Sequence, residues 1–441
     1  MKILLGIHQF FPIGSSGTEV LTLEVARGLR RSKHSVSILT CKEEPETSFE
    51  TAPWMTKYEY DEFPVYCLHY GVAGIKDSIT SHTFAPDRVR LVKNLVSEMK
   101  PDLIHFYHIK GFSASIIPEL RQQGVPVVFT PTDYWVVCPK FTLLRTFDQK
   151  VCDGPGDAVM CVKCFKNMPD FLARWRMKIG RTFLRKFMKK IQWPYSLGRR
   201  VKDMTDCVNS SNQILTETKF LSNILIRHGV NERLIEVVPT GVDIGEMPEH
   251  TDLPLVFSSK QPLHMGFVGT LSSIKGPQII LDALSLLGES GRNVILDIYG
   301  KQNPSDPFFQ VLLNKAKSLS VEVRFRGVFS HEQMGQVLRS FHLLVIPSIW
   351  YESAPLVLCS ALAAGTPVAV SRLEGMTEIM EEGTQGYSFP AGDAKALRDL
   401  ILRILENPKM LRKIYQNPHL RKRSTEDYVR DIEARYRQVL K

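Results

Sequence analysis

The chain opens on an apolar run, Ile3-Leu4-Leu5-Gly6-Ile7, closed by His8 and Gln9. A short apolar run bounded by polar residues reads as a buried strand of a parallel sheet. After it come the Gly14-Ser15-Ser16-Gly17 turn, a helix from about Thr18 to Arg31, and a second strand from Ser35 to Thr40. Strand, glycine-containing turn, helix and strand form the repeating unit of a doubly wound sheet. Val89, Val92, Leu95, Val96 and Met99 then recur at helical spacing over Pro86 to Met99, followed by strands over Asp102 to Phe106 and Pro126 to Thr130.

A second series begins near Leu263. The strand His264 to Val268 leads into Gly269-Thr270-Leu271-Ser272-Ser273-Ile274-Lys275-Gly276 and a helix through Leu284. Further strands are predicted over Val294 to Tyr299, Val321 to Phe325, Leu343 to Pro347 and Pro367 to Val370. Val238-Pro239-Thr240-Gly241-Val242-Asp243 and the polar run to about Pro262 read as a hinge. The expected fold class is α/β, two Rossmann-like doubly wound domains facing each other across a cleft. The expected domains are residues 1–240 and 241–441, with the last helix able to return to the first domain. Such sheets place ligands at the carboxyl ends of their strands.

Length supports this division, since 441 residues with 44% hydrophobic content suit two to three domains. The opening apolar run is too interrupted for a signal peptide, and no stretch reaches the 18 to 20 apolar residues of a spanning helix. The expected compartment is the cytoplasm, including the inner face of the membrane. The formal charge of +10 is uneven: Arg174, Arg176, Lys178, Arg181, Arg185, Lys186, Lys189 and Lys190 crowd one segment. Within that predicted basic helix, 171–191, Trp175, Ile179, Phe183, Phe187 and Ile191 recur every four residues. Such a stripe lies in an anionic membrane surface or packs on its own domain with the basic face solvated. No nucleic-acid partner is expected.

Cysteines are also uneven. Cys41, Cys67, Cys207 and Cys359 are scattered in apolar surroundings, whereas Cys138, Cys152, Cys161 and Cys164 share the stretch 138–164, ending in a C-x-x-C. In a reducing compartment this clustering points to a metal more than to disulfides. Structural zinc is the leading expectation; an iron–sulfur cluster, free thiols and a redox pair remain compatible.

Three further places carry chemistry. Gly14 and Gly17, between the first strand and a helix, present backbone N–H groups to a diphosphate or simply form a tight turn. Lys275, at the mouth of a helix, offsets the charge of a leaving nucleoside diphosphate or is a solvated surface lysine. Glu352, ahead of the helix from Pro355 to Gly365, accepts hydrogen bonds from sugar hydroxyls or supports the helix dipole. His105 and His108 end a buried strand and either offer an imidazole to the site or satisfy buried partners.

The order of these stretches resembles the family 4 (group 1) retaining glycosyltransferases of the GT-B fold, over nearly the entire chain. The most specific part is Gly269 to Gly392: the glycine-lysine turn, Glu352 with Ala-Ala-Gly-Thr-Pro-Val, Gly375-Met376-Thr377-Glu378-Ile379, Gly386 and Pro390-Ala391-Gly392-Asp393. The resemblance implies transfer from a UDP-, GDP- or ADP-sugar to a glycan or lipid-linked acceptor with retention of configuration, as in polysaccharide biosynthesis, and no catalytic metal. It implies that Gly14, Gly17, Gly269, Thr270, Lys275, Glu352 and Ser360 bind the donor, and that Lys275, Glu352 and Asp133 are catalytic. Three positions depart from the family pattern. Ser360 stands where a second glutamate is common, Thr132 precedes Asp133 where histidine is frequent, and Thr270 stands where an arginine often partners the lysine. These departures keep open a catalytically weak or inactive relative that acts as a binding or scaffolding protein.

Overall fold

The structure is a computed structural model. It describes residues 1–14, 16–45, 52–72, 74–156, 158–166, 169, 171–175, 193–245, 256–415 and 423–441. The basic segment beyond residue 175 lies outside the described residues. Two compact units result: Met1–Pro239 with Thr425–Lys441, and Thr240–Ser424.

The first unit is built on an eight-stranded sheet. Its strands are β1 (Lys2–Gly6), β2 (Ser35–Glu43), β3 (Trp54–Tyr60), β4 (Phe63–Tyr70), β5 (Leu103–Phe106), β6 (Val127–Phe129), β7 (Gln213–Thr216) and β8 (Ile235–Val237). Their order is β3-β4-β2-β1-β5-β6-β7-β8, parallel except for β3, which pairs antiparallel with β4. The β3–β4 hairpin was not predicted, because its turn residues Asp61 and Glu62 take φ of 52° and 62° without the usual Asn-Gly or Asp-Gly signal.

The helix Thr425–Val439 completes this unit. Val429 packs against the α-hydrogen side of Gly28, where an added Cβ would meet it at 2.6 Å. Tyr436 hydrogen-bonds His105 at 2.6 Å, and Arg435 reaches Glu236. The second unit therefore ends at Ser424 rather than at residue 441.

The second unit holds β9 (Leu263–Val268), β10 (Val294–Tyr299), β11 (Glu322–Gly327), β12 (Leu343–Ile346), β13 (Val368–Ser371) and β14 (Gly386–Phe389), in the order β11-β10-β9-β12-β13-β14, all parallel. Its core sits where Met265, Leu296, Leu343 and Val345 of the sheet meet Ile280, Leu284, Leu397 and Ile401 of flanking helices. In each sheet the connection direction reverses once, between β1 and β5 in the first and between β9 and β12 in the second. At such a reversal the loops leaving adjacent strands diverge to opposite faces and open a crevice. Among the described residues, no helix is long and apolar enough to cross a membrane.

Candidate functional site

Lys275 and Glu352 both belong to the reversal of the second sheet. Lys275 lies on the loop leaving β9, Glu352 on the loop leaving β12. Their side chains meet, with Lys275 Nζ 2.7 Å from Oε1 and 2.9 Å from Oε2 of Glu352. Ser348 Oγ donates to Glu352 Oε1 at 2.7 Å, and the Trp350 ring lies 5.3 Å from the ammonium. The carboxylate is buried while Lys275 keeps 30% of its side chain exposed, so the pair forms a charged point at the solvent edge.

The backbone enforces this meeting. Gly276 takes φ 77°, and a Cβ there would lie 2.0 Å from the Pro347 carbonyl oxygen, so only glycine lets the lysine loop rest on the end of β12. Ile349 N–H donates to the Ile274 carbonyl at 2.9 Å, stitching the two loops together. Gly375, at the start of the helix Glu374–Thr377, packs so closely that a Cβ would stand 1.8 Å from the Glu352 carbonyl oxygen.

The other expected donor contacts are placed less decisively. Gly269 follows β9 and donates its N–H to the Tyr299 carbonyl at 3.0 Å. Thr270 beside it is exposed. Ser360 is buried within the helix Leu356–Ala364. Gly14 is buried, with its N–H bonded to the Phe10 carbonyl at 3.1 Å. Gly17 is exposed at the first position of the helix Gly17–Arg31, whose N-cap Ser16 and Glu19 form a capping box. Of these two glycines, Gly17 is therefore the one whose N–H lies at an exposed helix start.

At the reversal of the first sheet, His8 follows β1, His108 follows β5 and Asp133 follows β6. His108 Nδ1 accepts the Lys110 N–H at 3.0 Å, which leaves the ring proton on Nε2 to be donated to Asp133 Oδ2 at 3.2 Å. Asp133 Oδ1 accepts the Trp135 N–H at 2.8 Å. The carboxylate is thereby fixed in direction while 22% of its side chain stays exposed. His8 packs against His108 with ring centroids 4.3 Å apart and planes tilted by 44°, and burial holds its pKa well below the ordinary value, keeping it neutral. Thr132 Oγ1 accepts from Thr18 Oγ1 at 3.0 Å and so ties this edge to the Gly17 helix.

His105, within β5, and His108, just after it, have different surroundings. His105 is fully buried, with Nδ1 on Tyr436 Oη and Nε2 on Thr130 Oγ1 at 2.7 Å, and burial lowers its pKa to about 3. It is a packing residue. Sequence reasoning missed Ser348, Trp350 and His8, none of which has a local signal beyond standing at a strand end.

The metal expectation changes in detail. Cys138, Cys152, Cys161 and Cys164 all line one cavity of about 290 Å³ in the first unit. Among the described residues, however, no three His, Cys, Asp or Glu side chains gather around one ion position. The four cysteines come from a turn, a bridge and a helix. The expected compact single-ion cluster is not assembled in this geometry.

Comparison with known proteins agrees with the two-sheet arrangement. Anabaena HepE in complex with UDP matches with a TM-score of 0.65 at 16% identity, covering 99% of this chain and 100% of that one. Sucrose-phosphate synthase of Thermosynechococcus elongatus matches with a TM-score of 0.65 at 16% identity, covering 100% and 99%. The fold is thus GT-B. The phosphatidyl-myo-inositol mannosyltransferase of Mycobacterium leprae is 34% identical over 133 residues, 30% of this chain and 34% of that protein. The D-inositol 3-phosphate glycosyltransferase of Corynebacterium efficiens is 27% identical over 224 residues, 48% and 53% respectively. The chain thus spans from about a third to about half of the length of these relatives. The model of Glycosyl transferases group 1 matches residues 256–420, which contain Lys275 and Glu352. That of Glycosyltransferase Family 4 matches residues 15–246, which contain His108 and Asp133, and with more than half of its length so matched the chain belongs to Glycosyltransferase Family 4.

Proposed function

We propose that the protein transfers a sugar from a nucleoside-diphosphate sugar to a glycan or lipid-linked acceptor, with retention of anomeric configuration. The observation that carries this reading is the Lys275–Glu352 pair at the reversal of the second sheet. In the reaction the bond between the anomeric carbon and the diphosphate oxygen breaks. The acceptor oxygen bonds to that carbon, and its proton passes to the departing phosphate. Lys275 would stabilise the charge that grows on the diphosphate, in a partly water-excluded position where such stabilisation is strongest. Glu352 would take donor sugar hydroxyls as hydrogen-bond donors, with Ser348 holding its orientation. Gly17, at an exposed helix start, offers an amide to the diphosphate.

On the first unit, Asp133 would orient a sugar or acceptor hydroxyl, with His108 fixing its carboxylate. A lipid-linked acceptor is favoured by the name of the mycobacterial relative, a phosphatidyl-myo-inositol mannosyltransferase. Contact of the basic segment 171–191 with an anionic membrane belongs to the same reading. In its described part, Phe171 and Trp175 are exposed.

A thermal-shift panel with UDP, GDP, ADP and CMP tests the donor assignment. A diphosphate at 100 times its Kd stabilises a protein by about 2.7 kcal/mol. One or more nucleoside diphosphates should raise the melting temperature, and Lys275→Ala should abolish the rise. No response to any of them would contradict the assignment.

A further inference from the structure

The cysteine cavity lies outside the machinery just described. It is formed by three small pieces of chain. A turn carries Cys138, whose carbonyl accepts the Phe141 N–H at 2.9 Å. A bridge pairs Leu144 with Val151 and delivers Cys152, whose N–H donates to the Leu143 carbonyl at 2.7 Å. The helix Ala158–Lys166 carries Cys161 and Cys164 three residues apart, hence on one face.

The helix has little core to hold it. The helix buries only Val162, which shares a small cluster with Ile79, Ala173 and Leu197. A nine-residue helix is marginal without tertiary support. All four cysteines nonetheless line the same cavity.

A second observation is independent of the sulfurs. Arg200, on the helix Trp193–Val208, is only 1% exposed. Its guanidinium donates to Val136 O at 3.2 Å, to Trp135 O and to His82 Nδ1 at 3.0 Å, all of them neutral groups. Among the described residues no carboxylate forms an ion pair with it, although Asp133 acts on it through space together with Cys138 and Cys161. A buried cation without a bonded counter-charge is strongly unfavourable. Four thiolates around a divalent ion leave a net negative charge on the side of Arg200 where Cys138 and Cys161 stand.

We propose that Cys138, Cys152, Cys161 and Cys164 hold a metal centre through four thiolates, zinc or an iron–sulfur cluster, whose negative charge is the counter-ion of buried Arg200. Binding deprotonates the four thiols and releases their protons. It ties the sparsely packed helix to the turn and the bridge. As placed, the four side chains do not close around one ion position, so binding requires them to move.

The test is elemental and sulfide analysis of the full chain purified without chelator, in parallel aerobic and anaerobic preparations. The expected result is about one zinc per chain, or iron with matching acid-labile sulfide in the anaerobic preparation. Either metal should be lost in Cys161→Ser and Cys164→Ser and kept in Cys207→Ser. The wild-type metal content decides the question even where a serine variant fails to fold. Metal-free wild-type protein from both preparations, with the four thiols open to a thiol reagent and no uptake of zinc or of iron with sulfide, would overturn the proposal.

Discussion

Lys275 Nζ bridges both carboxylate oxygens of Glu352, at 2.7 and 2.9 Å, although the two residues are 77 positions apart in sequence. Without nucleotide the pair is self-neutralising, so a diphosphate entering beside Lys275 competes with Glu352 for the ammonium. As a consequence, Lys275→Ala has two effects. Turnover should fall by about 10²-fold or more, the scale of removing one charge-stabilising group. Stability should also fall, by about 1–3 kcal/mol, because the buried carboxylate loses its cation. Steady-state rates and chemical denaturation of the same preparation measure both.

Gly375→Ala tests the support behind Glu352. A Cβ there would stand 1.8 Å from the Glu352 carbonyl oxygen, which forces the loop to shift. Displacing a positioned group by about 1 Å can cost about 10²-fold in rate. The expected outcome is a drop in kcat larger than any rise in KM for acceptor. Full activity would show that the loop tolerates movement.

Asp133→Asn keeps shape but removes charge and weakens the acceptor of the His108 Nε2–H. We expect kcat to fall by about 10–10²-fold with the fold unchanged. His108→Gln should have a smaller effect of the same sign, since it orients Asp133. Unchanged kcat in both variants would reduce the pair to a packing contact.

Acid should destabilise the fold through its buried imidazoles. Burial lowers the pKa of His105 to about 3, and burial with Arg200 and other nearby cations lowers that of His82 to about 2. Both stay neutral in the folded chain while their unfolded forms protonate near pH 6.5. Their contribution is therefore complete above about pH 6.5 and is lost progressively as the pH falls toward the folded values. The slope is about 1.4 kcal/mol per pH unit for each. Urea titrations at pH 7.5, 6.0 and 5.0 should show this decline, and a flat profile would contradict it.

The sequence made β1, β2, β5, β6 and β9 to β13 legible because they are short apolar runs closed by turns, as at Val268 to Gly276, whereas β7, β8 and β14 were not read as strands. It also located Lys275 and Glu352, since each follows such a strand. What it could not show is their direct contact, which depends on β9 and β12 being neighbours in the sheet. His108 and Asp133 were likewise visible singly, but their pairing arises only from the juxtaposition of β5 and β6. Arg200 carries no local mark in the sequence, and its burial follows from tertiary packing of its helix. The β3–β4 hairpin was hidden because Asp61 and Glu62 reach positive φ without glycine. Asp61 there accepts from Arg27 at 2.8 Å, a contact across 34 residues that no local pattern signals.

The central claim is that the Lys275–Glu352 pair acts on a nucleotide-sugar donor, and release of nucleoside diphosphate tests it most directly. Wild-type protein, Lys275→Ala and Glu352→Gln would each be incubated with UDP-, GDP- and ADP-glucose and with GDP-mannose, with and without a lipid extract as acceptor. Chromatography would quantify the nucleoside diphosphate formed. The account predicts release from at least one donor by the wild type, slow without acceptor and faster with it, and reduced by about 10²-fold or more in both variants. Equal release by wild type and Lys275→Ala, or none from any donor by a wild type that binds the diphosphate, would contradict it.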